Sequence, residues 1–414
     1  MEQVIVVFAD SEPQPIENEE FVQLVKACDM DIQETVEQNL KAISFRTYIG
    51  SGKCHEIREL LEDSTIDRVI FNHDLTPLQI RNLEEILMVP VMDRTELILA
   101  IFERRAATRT ARLQIESAQL KKLLPRLIGA NMQLGRQSGS GKNKGVGEKQ
   151  LEIDRRRIKS RIHEVERELK KVEAERSTQR RYRQRKDIPL VSLIGYTNAG
   201  KSTMMNMLLD HTQADESKKV MEEDMLFATL DTSVRNIDLP NGKSFLLSDT
   251  VGFVSHLPHS LIKAFHSTLE EVKYASLLVQ VVDASDPEME KQMRVTEETL
   301  QEIGAGDLPM LIVFNKCDKT DFTYPNVRGH EIYLSAREHK GIEELLEAIH
   351  QRLHPDEITV RMVLPYEKGA IYSLFMEQAH VHSRQDQEDG IHIQVTLSRK
   401  FYEKYKSYVQ EIIN

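Results

Sequence analysis

Residues 189–203 read PLVSLIGYTNAGKST, a short apolar run opening directly into a loop of the pattern G-x-x-x-x-G-K-S/T. No other stretch constrains the fold as strongly, because such a loop cradles a phosphate only between a buried strand and a helix. Gly195 and Gly200 let the backbone curl so that its N–H groups point at the β-phosphate, and the dipole of the following helix adds to the attraction. Lys201 is placed to reach the β- and γ-phosphates and Ser202 to ligate Mg²⁺. Tyr196, Thr197, Asn198, Ala199 and Thr203 complete the candidate nucleotide-lining loop. Two other glycine–lysine stretches fail the pattern. GSGK at 50–53 has Thr47 and Cys54 where Gly and Ser/Thr are needed, and GSGK at 139–142 has Arg136 and Asn143.

Phosphoryl transfer also needs an acid near the metal and a group that senses the γ-phosphate. SFLLSDTVG (244–252) supplies both: Asp249 ends an apolar run and can hold Mg²⁺ through water, while Gly252, after Thr250 and Val251, lets a backbone N–H approach the γ-phosphate. Upstream, Phe227, Ala228 and Thr229 in LFATLDTS lie where a switch segment would close over the metal, with Thr232 an alternative to Thr229. The base is specified by IVFNKCD (312–318). Asp318 can accept both the ring N–H and the exocyclic amine of guanine, a pairing adenine cannot offer, and Asn315 and Lys316 brace the loop. In YLSA (333–336) Ser335 and the Ala336 N–H face the guanine oxygen, with Arg337 next in line. Each motif ends a predicted strand, where open α/β sheets bind ligands. Lys201, Thr229 and Gly252 are the candidate catalytic residues and Ser202, Thr229 and Asp249 the candidate Mg²⁺ ligands.

The residue after Gly252 is Phe253, where many small signalling GTPases carry a glutamine that orients water. A phenyl ring cannot orient water, so hydrolysis by the isolated chain should be slow, and a partner, a monovalent cation or another residue completes the site. Asn198 is a candidate ligand for K⁺, or else ties the loop to the switches by side-chain hydrogen bonds. His256 and His259 read as polar surface residues.

Around this core the 414 residues divide by texture. Residues 1–93 alternate apolar runs (VIVVF, AISFRTYI, RVIF, VPVM) with helical stretches, implying a small α/β domain with a mainly parallel sheet. Residues 94–187 predict a helical hairpin. One helix runs to Leu127 and breaks near Pro125; a second runs from about Glu148 to Arg185, its Leu151, Ile158, Ile162, Val165, Leu169 and Val172 spaced as a coiled-coil seam. A glycine-rich tip loop, 129–149, joins them. Residues 188–355 form the doubly wound P-loop domain and 356–414 a small α+β appendage, so the predicted class is α/β. The net charge of −11 is unevenly spread: residues 103–187 hold 25 Lys and Arg against 11 Asp and Glu, a net of +14. Such a segment is either a solvated helix surface or a footprint for a polyanion.

Cys28, Cys54 and Cys317 are widely spaced and read as packing residues of a reducing compartment. With no apolar run near membrane-spanning length and no basic leader, the expectation is a cytoplasmic, unanchored chain. In the carboxyl-terminal part, a strand (TVRMVL), a helix (GAIYSLFMEQA) and two strands (HVHSR, IHIQVTLS) are expected, with His380, His382 and His392 as solvated sheet histidines.

GYTNAGKST, LFATLDTS, DTVGFVSHLPHSLIKAFHSTLEEV and NKCD, together with YIGSGK, LEIDRRRI and the basic hairpin, closely resemble the HflX family of translational GTPases over nearly the whole chain. The resemblance implies a GTPase that binds the large (50S) ribosomal subunit, sets the amino-terminal domain and hairpin against ribosomal RNA near the peptidyl-transferase centre, and separates stalled or idle 70S ribosomes into subunits, with the ribosome stimulating hydrolysis. It implies GTP and GDP as ligands, a monomer in solution, and RNA contacts from Arg136, Lys142, Lys144 and Lys149 of the tip and Arg155, Arg156 and Arg157 of the second helix. A hydrophobic residue after DTVG is usual in the family. The chain departs from it at GVGE (145–148), where the family commonly has G-P-G-E, so the tip contacts need not follow the family pattern. The same motifs would also serve a GTPase assisting large-subunit maturation, or a binding module for which nucleotide is only a switch.

Overall fold

The structure, a computed structural model, describes residues 1–12, 15–62, 65–137, 146–185, 188–211, 233–239, 243–250, 252 and 270–413. The amino-terminal unit alternates β1 (Glu2–Asp10), α1 (Pro15–Ala27), β2 (Met30–Asn39), α2 (Ser51–Glu62), β3 (Arg68–Phe71), α3 (Pro77–Leu87) and β4 (Val91–Met92). All strands are parallel, in the order β2-β1-β3-β4. β1 is apolar on both faces because both are covered, as parallel sheets require. Ile5 and Val7 face a layer holding Ile57 and Leu83, while Val4, Val6 and Phe8 face Phe21 and Leu24 of α1. Local chemistry sets the entry to α3: Thr76 caps it in a reciprocal box with Gln79, and Pro77 opens the first turn. The GSGK at 50–53 forms the entry to α2, with the Gly50 N–H donating to Gln38 at 3.1 Å.

One expected strand is not there. AISFRTYI (42–49) is a loop pinned by a bridge between Ser44 and Tyr48, with Phe45 80% exposed. The second strand is instead MDIQETVEQN, an edge strand that leaves most of its side chains in water and so carries no apolar run.

The helical segment also breaks at a different place. α4 (Arg94–Arg105) ends at Ala106, whose extended backbone (φ −68°, ψ 100°) turns the chain into α5 (Arg109–Gln137), and the hydroxyl of Thr108 accepts from the Ala111 N–H. Pro125 does not interrupt α5. An interior proline costs about 3 kcal/mol; here Lys122 and Arg126 on either side fasten the helix to Asp93 and Glu96 of α4. α5 continues through Gly129 and Gly135, and α6 (Val146–Arg185) begins before Gly147, so 129–149 is not a loop throughout; 138–145 lie outside the described residues. α5 and α6 form an antiparallel pair. Ile162 and Val165 are buried in the seam, and Arg161 grips Glu116 with two guanidinium nitrogens at 2.5 and 2.9 Å.

The central sheet has seven strands, β10-β11-β9-β8-β5-β7-β6. They are β5 (Leu190–Ile194), β6 (Ser233–Asp238), β7 (Ser244–Asp249), β8 (Leu277–Asp283), β9 (Met310–Asn315), β10 (Asn326–Arg328) and β11 (Glu331–Tyr333), with helices α7 (Lys201–His211), α8 (Met289–Glu302) and α9 (Ile342–Leu353). Pairing is parallel except at the outermost strand on each side. The winding reverses at β5, between β7 and β8, so the strand end that feeds the phosphate loop is the topological switch point.

Beyond it stands a four-stranded antiparallel sheet, β13-β14-β12-β15. It comprises β12 (Glu357–Leu364), β13 (His380–Gln387), β14 (Gly390–Ser398) and β15 (Val409–Ile412), with helices α10 (Gly369–Gln378) and α11 (Arg399–Tyr405). The final helix and strand were not among the expected elements.

One hydrophobic cluster crosses the first interface. Phe21 of the amino-terminal unit and Ile98 and Phe102 of α4 share it with Tyr196, Leu278 and Ile303 of the central one. Among the described residues no helix is long and apolar enough to cross a membrane.

Candidate functional site

β5 delivers the chain into a turn that only glycine can make. Gly195 has φ +138°, and a Cβ there would sit 2.2 Å from the Val281 carbonyl oxygen. Gly200, at φ +94°, would drive a Cβ to 2.3 Å from the Asn315 amide nitrogen. Across the cradle, a Cβ on Gly252 would meet Thr197 Cγ2 at 2.7 Å and Lys201 Nζ at 3.0 Å. These bare backbones enclose a space in which Lys201 Nζ donates to the Gly195 and Tyr196 carbonyls at 3.1 and 2.7 Å. The lysine is 6% exposed. Burial pushes its ammonium down to about 8, against the upward pull of Asp249 and with repulsion from Lys316 added. The buried Thr197 hydroxyl has no hydrogen-bond partner among the described residues, as befits a group awaiting a polar ligand.

Beside the loop, Ser202 Oγ donates to Asp249 Oδ2 at 2.9 Å. Two hard oxygen donors so placed suit Mg²⁺, which keeps most of its waters and takes few protein ligands. Ser202 and Asp249 would hold Mg²⁺ there, and the ion would offset negative charge developing on the phosphate. Thr250 Oγ1 donates to the Leu193 carbonyl at 2.6 Å, locking the end of β7 to β5.

The loop after β9 is welded to the phosphate loop. The Asn315 amide donates to the Ala199 carbonyl at 3.0 Å while its oxygen accepts the Ala336 N–H at 3.0 Å, so one side chain spaces three loops. Lys316 Nζ donates to the Asn198 carbonyl at 2.7 Å and pairs with Asp283 at 2.7 Å. Asn198 and Lys316 both have left-handed backbones, at φ 60° and 61°. Asp318 is thereby presented at the open end, its Oδ1 accepting from Ser335 Oγ at 2.6 Å, with Arg337 exposed alongside.

The structure thus brings Gly195 to Thr203, Asp249, Thr250, Gly252, Asn315, Lys316, Asp318 and Ser335 to Arg337 to the carboxyl ends of the strands of one sheet. Phe227, Ala228, Thr229, Val251 and Phe253 lie outside the described residues, as do Lys142 and Lys144 and the side chains of Arg136 and Lys149. Arg155, Arg156 and Arg157 sit on α6, away from this site, each facing an acid one turn earlier: Glu152 at 4.0 and 3.2 Å and Asp154 at 3.9 Å. The sequence reading did not single out Asp283, although it too ends an apolar strand. Of the carboxyl-terminal histidines expected to be solvated, His382 is exposed; His380 and His382 also line an open cavity of about 480 Å³ with His350, His354 and His211, and His392 pairs with Asp389 at 2.7 Å. Among the described residues no three ligand groups are arranged to hold a metal. The cysteines are buried, and burial pushes the thiols of Cys28 and Cys317 up to about 11, as suits inert packing residues.

A phosphate loop braced by the same Asn–Lys pair that presents a base-reading aspartate belongs to the P-loop GTPases, and the doubly wound sheet beneath it is that class's fold. Family models match in series along the chain: "GTP-binding GTPase N-terminal" at 16–103, "GTP-binding GTPase Middle Region" at 105–183, "50S ribosome-binding GTPase" at 190–316 and "HflX C-terminal domain" at 325–406. GTPase HflX of Caldanaerobacter subterraneus subsp. tengcongensis is 40% identical over 409 residues, 99% of this chain and 94% of that one. GTPase HflX of Escherichia coli K12 is 38% identical over 386 residues, 92% and 89% of the two chains. Among solved structures, a complex of SsGBP with GDP is 25% identical, covering 85% of this chain and 98% of that one, with a TM-score of 0.48. The chain belongs to the HflX family of GTPases.

Proposed function

We propose that this GTPase binds the large ribosomal subunit and uses its GTP cycle to split stalled or idle 70S ribosomes into subunits under stress. The observation that carries the reading is the placement of the basic arm. α5 and α6, from the segment of net charge +14, are rooted through Ala111, Ile115 and Ala118 in the hydrophobic cluster that also holds Tyr196 of the phosphate loop. A polyanion gripped by the arm and a nucleotide gripped by the loop therefore bear on one packed core. In this reading residues 195–203, 227–229 and 249–252, Asn315, Lys316, Asp318 and residues 335–337 hold the nucleotide, Ser202 and Asp249, with Thr229, hold Mg²⁺, and Lys201 and the Gly252 N–H meet the γ-phosphate. Asn198, exposed at the loop's crest, is the ligand for K⁺. Arg155, Arg156 and Arg157, with the tip residues Arg136, Lys142, Lys144 and Lys149, meet ribosomal RNA. Sedimentation of 70S particles with the protein tests the reading: free subunits should rise with GTP and Mg²⁺, and not with GDP. Binding to free large subunits with no rise in splitting would overturn it in favour of a maturation role.

A further inference from the structure

Tyr196 has two faces. Its backbone is part of the phosphate loop, and its carbonyl holds the Lys201 ammonium at 2.7 Å. Its phenol leaves the central unit altogether: the hydroxyl donates to Glu20 of α1, across 176 residues of sequence. Glu20 in turn accepts from Arg94 at 2.8 Å, at the first turn of α4. The pair is largely buried, with side chains 13% and 5% exposed. Arg94 also donates to the Asn72 side chain at the end of β3, and its guanidinium lies 5.5 Å from the Phe21 ring centroid. One residue before Arg94, Asp93 caps α4 by accepting the Glu96 N–H at 2.9 Å and pairs with Lys122 of α5. Glu96 pairs with Arg126 at 2.8 Å. A second strut joins the two units at the rim, where Glu17 of α1 meets Lys291 of α8 at 2.7 Å.

We propose that Glu20 and Arg94 are positioning residues for the phosphate loop: acting through Tyr196, they tie the position of Lys201 to the α4–α5 root of the basic hairpin. A nucleotide that draws Lys201 from the Tyr196 carbonyl to its phosphates changes the load on Tyr196. The shift passes to Glu20 and Arg94, and from the first turn of α4 to α5. Linkage makes the effect reciprocal, so a partner that moves the hairpin alters nucleotide affinity by the same factor. Buried charged groups suit such a relay because a half-made contact leaves a charge unpaired, which favours discrete arrangements over gradual ones. The proposal rests on residues 195–203 being the phosphate loop and needs no ribosome.

Hydrogen–deuterium exchange of the full chain, with Mg²⁺ and either GDP or a non-hydrolysable GTP analogue, tests it. In the wild type, amides of 94–126 should exchange at rates differing about fivefold or more between the two nucleotides. The double variant Glu20→Leu/Arg94→Met replaces the ion pair by apolar side chains, and such joint replacements are often tolerated. It should still bind both nucleotides, and with each nucleotide at saturation the difference in exchange should disappear. Glu20→Gln keeps the side-chain shape and an acceptor for Tyr196, and it should shrink the difference; where the double variant does not fold, this variant decides. An undiminished difference in the variants, or none in a wild type that binds both nucleotides, overturns the relay. A wild type that binds neither nucleotide instead overturns the assignment of the loop.

Discussion

Replacing Lys201 with methionine should abolish nucleotide binding and yet make the protein without nucleotide more stable. The ammonium is buried and its pKa lies at about 8 against an ordinary 10.5. Keeping it charged at pH 7 therefore costs about 3 kcal/mol. Methionine fills the stem's volume without the charge, but it forfeits two hydrogen bonds to carbonyls. One of these carbonyls, that of Tyr196, keeps a contact from the Ala199 N–H at 3.4 Å, so the loss is about 1 kcal/mol. The net expectation is a gain of about 2 kcal/mol at pH 7. Its pH dependence identifies the cause. Between the folded pKa near 8 and the unfolded value of 10.5, the unfolded state holds more protons, so wild-type stability rises with pH across that interval. The burial penalty is thus fully present below pH 8 and relieved by pH 10.5, and the advantage of the variant should fade over the same interval. Urea titrations followed by circular dichroism at several pH values, without nucleotide, measure this. A variant less stable than wild type at pH 7, or an advantage that does not change with pH, would refute the reasoning.

The same lysine predicts that GTP affinity holds steady up to pH 8 and then falls by up to about tenfold per unit, because binding to phosphate must restore the proton; calorimetry in buffers of different ionisation enthalpy should show that proton uptake. Asp318→Asn reverses the hydrogen-bond polarity presented to the base, so competition assays should show GTP affinity down about tenfold or more and xanthine nucleotides preferred. Retained GTP selectivity would remove Asp318 from the base site. Gly200→Ala sets a Cβ 2.3 Å from the amide that spaces the loops and strains a left-handed backbone; it should destabilise by at least about 2 kcal/mol and lower nucleotide affinity.

What was legible in the sequence was whatever depends on local stereochemistry. The glycines at 195 and 200 announce their positive φ, and the apolar run before them announces a fully buried strand. Strand β2 was not legible because an edge strand half in water lacks the apolar run that marks a core strand. AISFRTYI misled for the opposite reason: its apolar residues Ile43 and Phe45 point to solvent from a loop. Pro125 suggested a break that tertiary ion pairs on both flanks override. The contact of Tyr196 with Glu20 and the gathering of His350 and His354 with His380 and His382 join distant segments that no periodicity connects.

The arginines of α6 raise a question that the charge count alone leaves open, since each faces a carboxylate on its own helix. The Arg156 and Arg157 side chains are 77% and 76% exposed, and exposed pairs of this kind are worth at most about 1 kcal/mol. They can therefore be exchanged for phosphates at little cost, while Glu152 and Asp154 remain nearby to oppose the same phosphates. Two opposite outcomes follow. Changing Arg155, Arg156 and Arg157 to Gln should weaken binding to large subunits and reduce the slope of log affinity against log salt by about 2, at roughly 0.7 for each phosphate no longer neutralised. Nucleotide affinity should not change, because these residues lie on the arm and not at the phosphate loop. Glu152→Gln with Asp154→Asn should instead strengthen subunit binding several-fold at low salt, with the gain screened away as salt rises. If the arginine variant kept the wild-type salt slope, this turn of α6 would not face RNA and the arm's grip on the subunit would have to come from elsewhere on the hairpin.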